Sequence, residues 1–302
     1  MSYIDLHCDT LDVLGQRATK PFITTDFLIK NNCLAQCFAI FIEKSGKSNA
    51  EFEFLKQQTE LFKMFVKENI NTLATAKNGL EIIKNKIGNR ISAVLTVENG
   101  DFIGDDLTRI DYIKNAGVKI LTLLWNDENC LGYPASTIKR ENLLPLKQNT
   151  GRIITLLNEK NIIIDVSHLN EGGFWQIAEL SSKPFIASHS CCNAIHRHRR
   201  NLSDNQIKEI AKCGGVVGIN FYNEFINGGI KPTSVSDIVR QAEHIINISS
   251  DNVVSLGGDL DGIPHCTDFK GYEDIVSALQ NYFGKETSDK ICYKNSLRVL
   301  DY

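Results

Sequence analysis

The sequence predicts an α/β fold, a (β/α)8 TIM-like barrel built by a single domain over residues 1–302. Eight short apolar runs, at 3–7, 34–42, 91–97, 119–124, 162–166, 185–188, 215–220 and 253–257, have the length and composition of buried strands. Segments of helical period lie between them, an alternation that signals βα units and a parallel sheet. Polar residues of the kinds used in catalysis follow five of the runs directly, as they do at the C-terminal rim of a barrel. The competing arrangement is an open doubly wound sheet. No Gly-x-Gly-x-x-Gly follows the first run, and the polar residues are not gathered at one switch point.

The helical segments are read from periodicity and caps. Residues 51–68 carry Phe52, Leu55, Leu61, Phe62 and Phe65 among Lys and Glu. Shorter patterns cover 80–86 and 107–115, and a longer one covers 143–160. Residues 171–180 follow the fifth run, and Ser203-Asp204-Asn205-Gln206 has the form of a capping box before a helix at 206–212. Residues 234–248 are amphipathic, with Ile238, Val239, Ala242, Ile245 and Ile246 near one face, and 274–283 and 288–299 close the chain. No repeat, low-complexity tract or Pro/Gly/Ser-rich linker divides it.

Composition narrows the function classes. Hydrophobic residues make up 42% and charged residues 23%, as in ordinary globular proteins. A net charge of −3 argues against nucleic acid or an acidic membrane surface as partner. No apolar window is long enough to span a bilayer, and residues 1–5 show no basic region leading into an apolar run, so a cytoplasmic location is expected. Nine scattered cysteines in such a chain predict free thiols.

The first run leads into Asp5-Leu6-His7-Cys8-Asp9-Thr10. Alternation along a strand sets His7 and Asp9 on one face and Cys8 on the other. An imidazole beside a carboxylate begins a zinc or transition-metal site, although so short a pattern also arises by chance. Its partners come from distant runs: Glu98 after the third, Asp165-Val166-Ser167-His168 after the fifth, Ser188-His189-Ser190 after the sixth, and Gly257-Gly258-Asp259-Leu260-Asp261-Gly262 after the eighth. Burying these carboxylates and imidazoles together is costly without a compensating cation. Two divalent metal ions would compensate, with His7, Asp9 and one Glu98 oxygen on one ion and the other Glu98 oxygen, His168 and His189 on the second. Neutral imidazoles with carboxylates favour zinc, although Mn, Co or Fe bind similar ligands. A water bridging the ions would lose a proton near neutral pH and serve as nucleophile. Asp259 is left to accept that proton and donate it onward.

Asp5-x-His7-x-Asp9, Glu98-Asn99-Gly100, Asp165-x-Ser167-His168, Ser188-His189-Ser190, Arg199-Arg200-Asn201, Gly257-Gly258-Asp259-x-Asp261-Gly262 and Asn295-x-x-Arg298-Val299 together resemble the membrane (renal) dipeptidases, a branch of the amidohydrolase-like metallopeptidases. The resemblance covers nearly the whole chain. It implies a TIM-like barrel with two zinc ions and hydrolysis of dipeptides, often with a D-residue tolerated at the C-terminal side. It matches the five ligands above, with Glu98 as the bridge, and suggests a homodimer. Arg200 resembles the arginine that pairs with the substrate's terminal carboxylate, a task suited to a guanidinium fork.

Two departures stand out. Better-known members carry a His where Leu123-Leu124-Trp125-Asn126 places Trp125. An indole donates one hydrogen bond and relays no proton, and loss of a charged oxyanion donor costs about 3 kcal/mol of transition-state stabilisation. Asn126 or a zinc ion is expected to substitute, so Trp125 and Asn126 are read as substrate-facing. The family's signal peptide and lipid-anchor tail have no counterpart in the sequence. Trp125 keeps open a second substrate class, a cyclic amide, β-lactam or lactone. A non-catalytic peptide-binding descendant is a third possibility, weakened by retention of all the ligands and Asp259.

Other polar residues have plainer readings. The basic stretch from His196 to Arg200 lacks interleaved aromatics and reads as a loop at the substrate mouth. Asp261 reads as a structural loop residue, and His244 and His265 show no partner in the sequence.

Overall fold

In a computed structural model, which describes residues 2–16 and 20–302, the apolar runs form parallel strands. They are β1 (Tyr3–Asp5), β2 (Cys33–Phe41), β3 (Leu73–Thr75), β4 (Ile91–Glu98), β5 (Ile120–Thr122), β6 (Ile163–Asp165), β7 (Ala187–Ser190), β8 (Val217–Ile219) and β9 (Val254–Leu256). The path through the sheet is β6-β5-β4-β2-β1-β9-β8-β7. Its two ends meet through an Asp165–Ile186 bridge, with Val166 N donating to Ile186 O at 2.8 Å and Ile186 N to Ile164 O at 3.0 Å. The result is a nearly closed eight-stranded barrel with helices around it, as expected. Its closure leaves little of the unpaired edge that an open sheet exposes.

Eight strands coincide with the eight apolar runs, each trimmed or extended by a few residues. Strand β3 was not expected. It is three residues long and pairs with the start of β4, on the edge that β5 occupies further along. The helices Thr10–Gln16 and Thr25–Lys30 were also not expected, being too short to show a period. The helix expected from residue 143 begins at Thr150. Pro145 lies in the lost segment and biases the residue before it away from helical geometry. The two closing helices are continuous except at Gly284, whose φ of +77° breaks the helical geometry between them. The box at Ser203 and Gln206 is formed reciprocally, an arrangement that stabilises a helix start by about 1 kcal/mol.

Two apolar clusters hold these layers. The larger packs the helices on the outer face of the barrel, with Ala93, Leu95 and Val97 of β4 among its members. The smaller joins Ile4, Leu34, Val94, Ile120, Ile163, Ile186 and Val216 with Val299 and Leu300. Side chains from strands all around the ring can meet one another only inside it. That interior is apolar below and polar at the rim. The register aligns Phe41 with Glu98, Glu98 with Thr122, and Thr122 with Asp165, so these residues form one layer at the strand ends. No helix among the described residues is long and apolar enough to cross a membrane, and all nine cysteines are free thiols.

Candidate metal centre

Four rim residues adopt the left-handed backbone region just after strands: Asn99 (φ +79°), His168 (+71°), Asp259 (+61°) and Asp261 (+69°). Asn, Asp and His tolerate this region better than other non-glycine residues, at a cost of roughly 1–2 kcal/mol each. These turns swing the side chains off the strand ends and over the barrel mouth.

There the sequence-predicted ligands converge. Although β1 ends at Asp5, pairing continues beyond it, with Cys8 N donating to Cys37 O and Ala39 N to Cys8 O. His7 Nε2 lies 3.4 Å from Asp9 Oδ2, 3.7 Å from Glu98 Oε2 and 3.6 Å from Asp259 Oδ1. On the other side of Glu98, Oε1 lies 3.0 Å from His168 Nε2 and 3.5 Å from His189 Nε2. The two imidazole nitrogens are 3.0 Å apart. Glu98 thus turns one oxygen to each half of the cluster. Two overlapping sets, His7 with Glu98 and His189, and His7 with Asp9 and Asp259, bring their donor atoms within 4.8 Å of one another.

The chain does not neutralise this cluster by itself. Burial raises the Glu98 pKa well above the usual carboxylate range and raises Asp259 to about 7, with Asp9 adding to both and His7 and Arg200 opposing. Burial also works against a charge on His7, but Asp9, Glu98 and Asp259 outweigh it and raise that pKa well above 6.5. His168 and His189 are held well below 6.5, mainly by burial, and stay neutral. His7 Nε2 and Asp9 Oδ1 are buried without a hydrogen-bond partner. Orphaned donor atoms of opposite type, packed around neutral imidazoles and a two-sided carboxylate, fit divalent metal coordination.

A second layer of contacts orients the cluster. Asp165 accepts from Ser167 N and Ser188 N through Oδ1, and from Thr122 Oγ1 and Ser188 Oγ through Oδ2. The Ser188 hydroxyl also meets Nδ1 of His189. Asp5 does comparable work between β1 and β9, accepting from His7 N, Gln36 Nε2, Gly258 N and the Tyr272 hydroxyl. Asn220 Nδ2 donates to Asp259 Oδ2 at 2.8 Å, which leaves Oδ1 facing His7. Gly262 lets the last loop approach, since a Cβ there would overlap Asp9 Oδ2. Sequence reasoning quoted Asp5 and Asp165 without a role and did not single out Asn220. Its position at the end of the seventh apolar run was the available signal.

The remaining site candidates are also at the rim. Arg200 is 4% exposed, with Nη2 3.3 Å from His189 O, its guanidinium over the Phe225 ring, and Nε unpartnered. Trp125 sits edge-on to Phe41 at 4.8 Å, with its ring 6.5 Å from that of His168. Asn126 Oδ1 meets His168 Nδ1 at 3.1 Å and Arg199 Nη2 at 3.3 Å, so its amide oxygen supports His168 from behind. Asp261 holds a loop, accepting from Thr10 Oγ1, Phe22 N and Ile23 N. His244 pairs with Asp204 at 2.8 Å, a contact between two outer helices that sequence alone did not reveal.

The barrel and its acidic, imidazole-rich rim define a metal-dependent hydrolase. Across residues 1–302 the chain matches the family described as membrane dipeptidase (peptidase family M19), and it belongs to that family of metallopeptidases. A Klebsiella pneumoniae protein known as an uncharacterized protein in the pqqA 5′ region is 29% identical over 82% of this chain and 95% of its own length. An uncharacterized dipeptidase of Schizosaccharomyces pombe is 28% identical over 77% of this chain, but the match spans only 56% of the yeast protein. Among solved structures, a metallopeptidase of family M19 called dipeptidase AC superposes with a TM-score of 0.91 at 19% identity, covering 100% of this chain and 98% of that one. A Rhodobacter sphaeroides metallopeptidase, liganded with a phosphinate mimic of the dipeptide L-Ala-D-Ala, gives 0.89 at 19% identity, covering 100% and 99%. At such identities these structures speak for the fold.

Proposed function

We propose that the chain is a zinc-dependent dipeptidase acting through two metal ions held by His7, Asp9, Glu98, His168 and His189. The observation that carries this reading is the Glu98 carboxylate, with Oε2 toward His7 and Oε1 toward His168 and His189. Such ions, when bound, polarise a peptide carbonyl and acidify the water that attacks it.

The chain's own residues do the rest. Asp259 Oδ2 is fixed by Asn220, so Oδ1 can take a proton from the attacking water and return it to the leaving amine. Arg200 is buried with Nε free and presents a fork matched to a substrate's terminal carboxylate. Trp125 and Phe41 wall the opposite side of the mouth. The dipeptide mimic bound by the Rhodobacter sphaeroides relative supports a substrate with a D-residue at its C-terminal side.

The test is a panel of L,L- and L,D-dipeptides offered to metal-loaded protein, with Asp259→Asn beside it. Cleavage by the parent, and a variant that keeps its metal while losing at least ~100-fold in kcat, are expected. Metal-loaded protein inert toward every dipeptide, or an unchanged Asp259→Asn, would overturn the assignment.

A further inference from the structure

A cavity of about 470 Å³ opens beside the metal centre, and Asp12, Phe41, Glu43, Glu51, Phe54 and Trp125 are among the residues lining it. Two of its lining residues neighbour the centre. Asp12 N donates to Asp9 O at 2.9 Å, and Trp125 shares the cavity wall while facing His168.

The side of the barrel on which it lies is informative. Its walls come from segments that follow β1, β2 and β5, whereas Arg200 contacts β7 and Phe225 beyond β8. In the strand order around the ring, β2 is diametrically opposite β7, and β4 is opposite β8. A dipeptide whose carboxylate meets Arg200 and whose carbonyl lies over the metal cluster therefore directs its N-terminal residue toward this cavity.

The lining has a definite chemistry. Three of its side chains are carboxylates, and no Lys, Arg or His lines it among the described residues. Gln16, also in the lining, donates from Nε2 to Asp12 Oδ2 at 2.6 Å. Glu51 is 2% exposed; its Oε1 takes hydrogen bonds from Ser45 and Gly46, while Oε2 is buried with no partner. Phe41, Phe54 and Trp125 are only half-buried and supply aromatic walls. An aromatic wall beside three carboxylates, one of which keeps an unpaired oxygen at Glu51 Oε2, suits a long side chain with a methylene stem and a cationic head. The α-ammonium of the same residue is one carbon from the reacting carbonyl and stays at the rim, leaving these carboxylates to the side chain.

We propose that this cavity receives the side chain of the substrate's N-terminal residue and selects lysine- or arginine-like cations there. The proposal rests on the dipeptidase reading above and names its substrate class.

The experiment compares kcat/KM of the metal-loaded full chain for dipeptides with lysine, arginine, norleucine, alanine or glutamate first and one constant second residue. Norleucine matches the lysine stem without its charge. Lysine and arginine are expected at least tenfold above norleucine, with glutamate lowest and the preference shrinking as salt rises. Glu43→Gln and Asp12→Asn are each expected to reduce the lysine-to-norleucine ratio at least threefold, chiefly through KM. Ratios taken within one variant are insensitive to partial unfolding. Brisk cleavage with norleucine equal to lysine overturns the pocket assignment alone, as does a lysine preference that neither variant changes. Absence of cleavage of any dipeptide overturns the dipeptidase reading and the pocket with it.

Discussion

The Ser188 hydroxyl lies 2.7 Å from Nδ1 of His189 and 2.5 Å from Oδ2 of Asp165. A carboxylate can only accept, so the single hydroxyl proton goes to Asp165 and the oxygen accepts from Nδ1–H of His189. That assignment leaves the Nε2 lone pair directed at the cluster, the tautomer a metal ligand requires. Asp165→Asn and Ser188→Ala are therefore expected to weaken metal affinity about 10- to 100-fold. Competition with a chromophoric chelator measures this directly, and unchanged affinity in both variants would remove the relay from the site.

Metal removal should cost stability as well as activity. His7 Nε2 and Asp9 Oδ1 have no hydrogen-bond partner within the protein, and the Glu98 and Asp259 carboxylates crowd His7 at 3.7 and 3.6 Å. A ligand at 100 times its Kd stabilises the folded state by about 2.7 kcal/mol per site. Exhaustive chelation is expected to abolish dipeptide hydrolysis and lower Tm by several degrees, with zinc restoring both. Calorimetry before and after chelation, with elemental analysis expected to find two ions per chain, checks this prediction.

Gly262→Ala tests the close approach of the last loop. The added Cβ would meet Asp9 Oδ2 and Asp259 Oδ1. The expected outcome is a folded protein with metal affinity reduced tenfold or more, because the loop or Asp9 must shift away from His7. Circular dichroism shows whether the fold survives, and metal titration reads the effect. A variant with parental affinity would mean that the loop yields freely.

His198 gives a pH dependence with a definite sign. Burial, reinforced by Arg200 and Arg199, lowers its pKa from 6.5 to about 4, and its Nδ1 accepts from Arg200 N at 3.2 Å. Between those values the unfolded chain binds a proton that the folded chain does not. This contribution is thus fully present above pH 6.5 and is lost as pH falls toward 4. Denaturant titrations should show a constant difference between the parent and His198→Gln above pH 6.5, and a loss of parent stability relative to the variant as pH falls from there toward 4. Parallel curves across the whole range would contradict it.

Much of the architecture was legible because parallel barrel strands are buried on both faces and so read as apolar runs. The candidate site residues were legible for a related reason: His7, Glu98, His168, His189 and Asp259 each lie at the end of such a run or follow it closely. Short elements escaped. Leu73–Thr75 has too few residues to show alternation, and the helix Thr25–Lys30 too few to show a period. Cys8 was expected to face away from the ligands, and its Sγ indeed meets Thr10 Oγ1 at 3.2 Å within the core. Asn126 sets its amide oxygen on His168 and Arg199, partners 42 and 73 residues away, a link that no local pattern displays.

Sequence by itself therefore determined the barrel, the eight strands of its ring and most of the polar residues at its rim, because burial and periodicity are local properties of the chain. Only the tertiary structure decided how Glu98 divides its oxygens between His7 and the His168–His189 pair. It alone set Asp165 behind His189 and Asn220 behind Asp259, and it opened the acidic cavity across the barrel from Arg200. Those relations depend on which strands become neighbours and on left-handed turns at His168 and Asp259. They arise when the ring closes, since closure brings side chains far apart in the chain to within a few ångströms of one another.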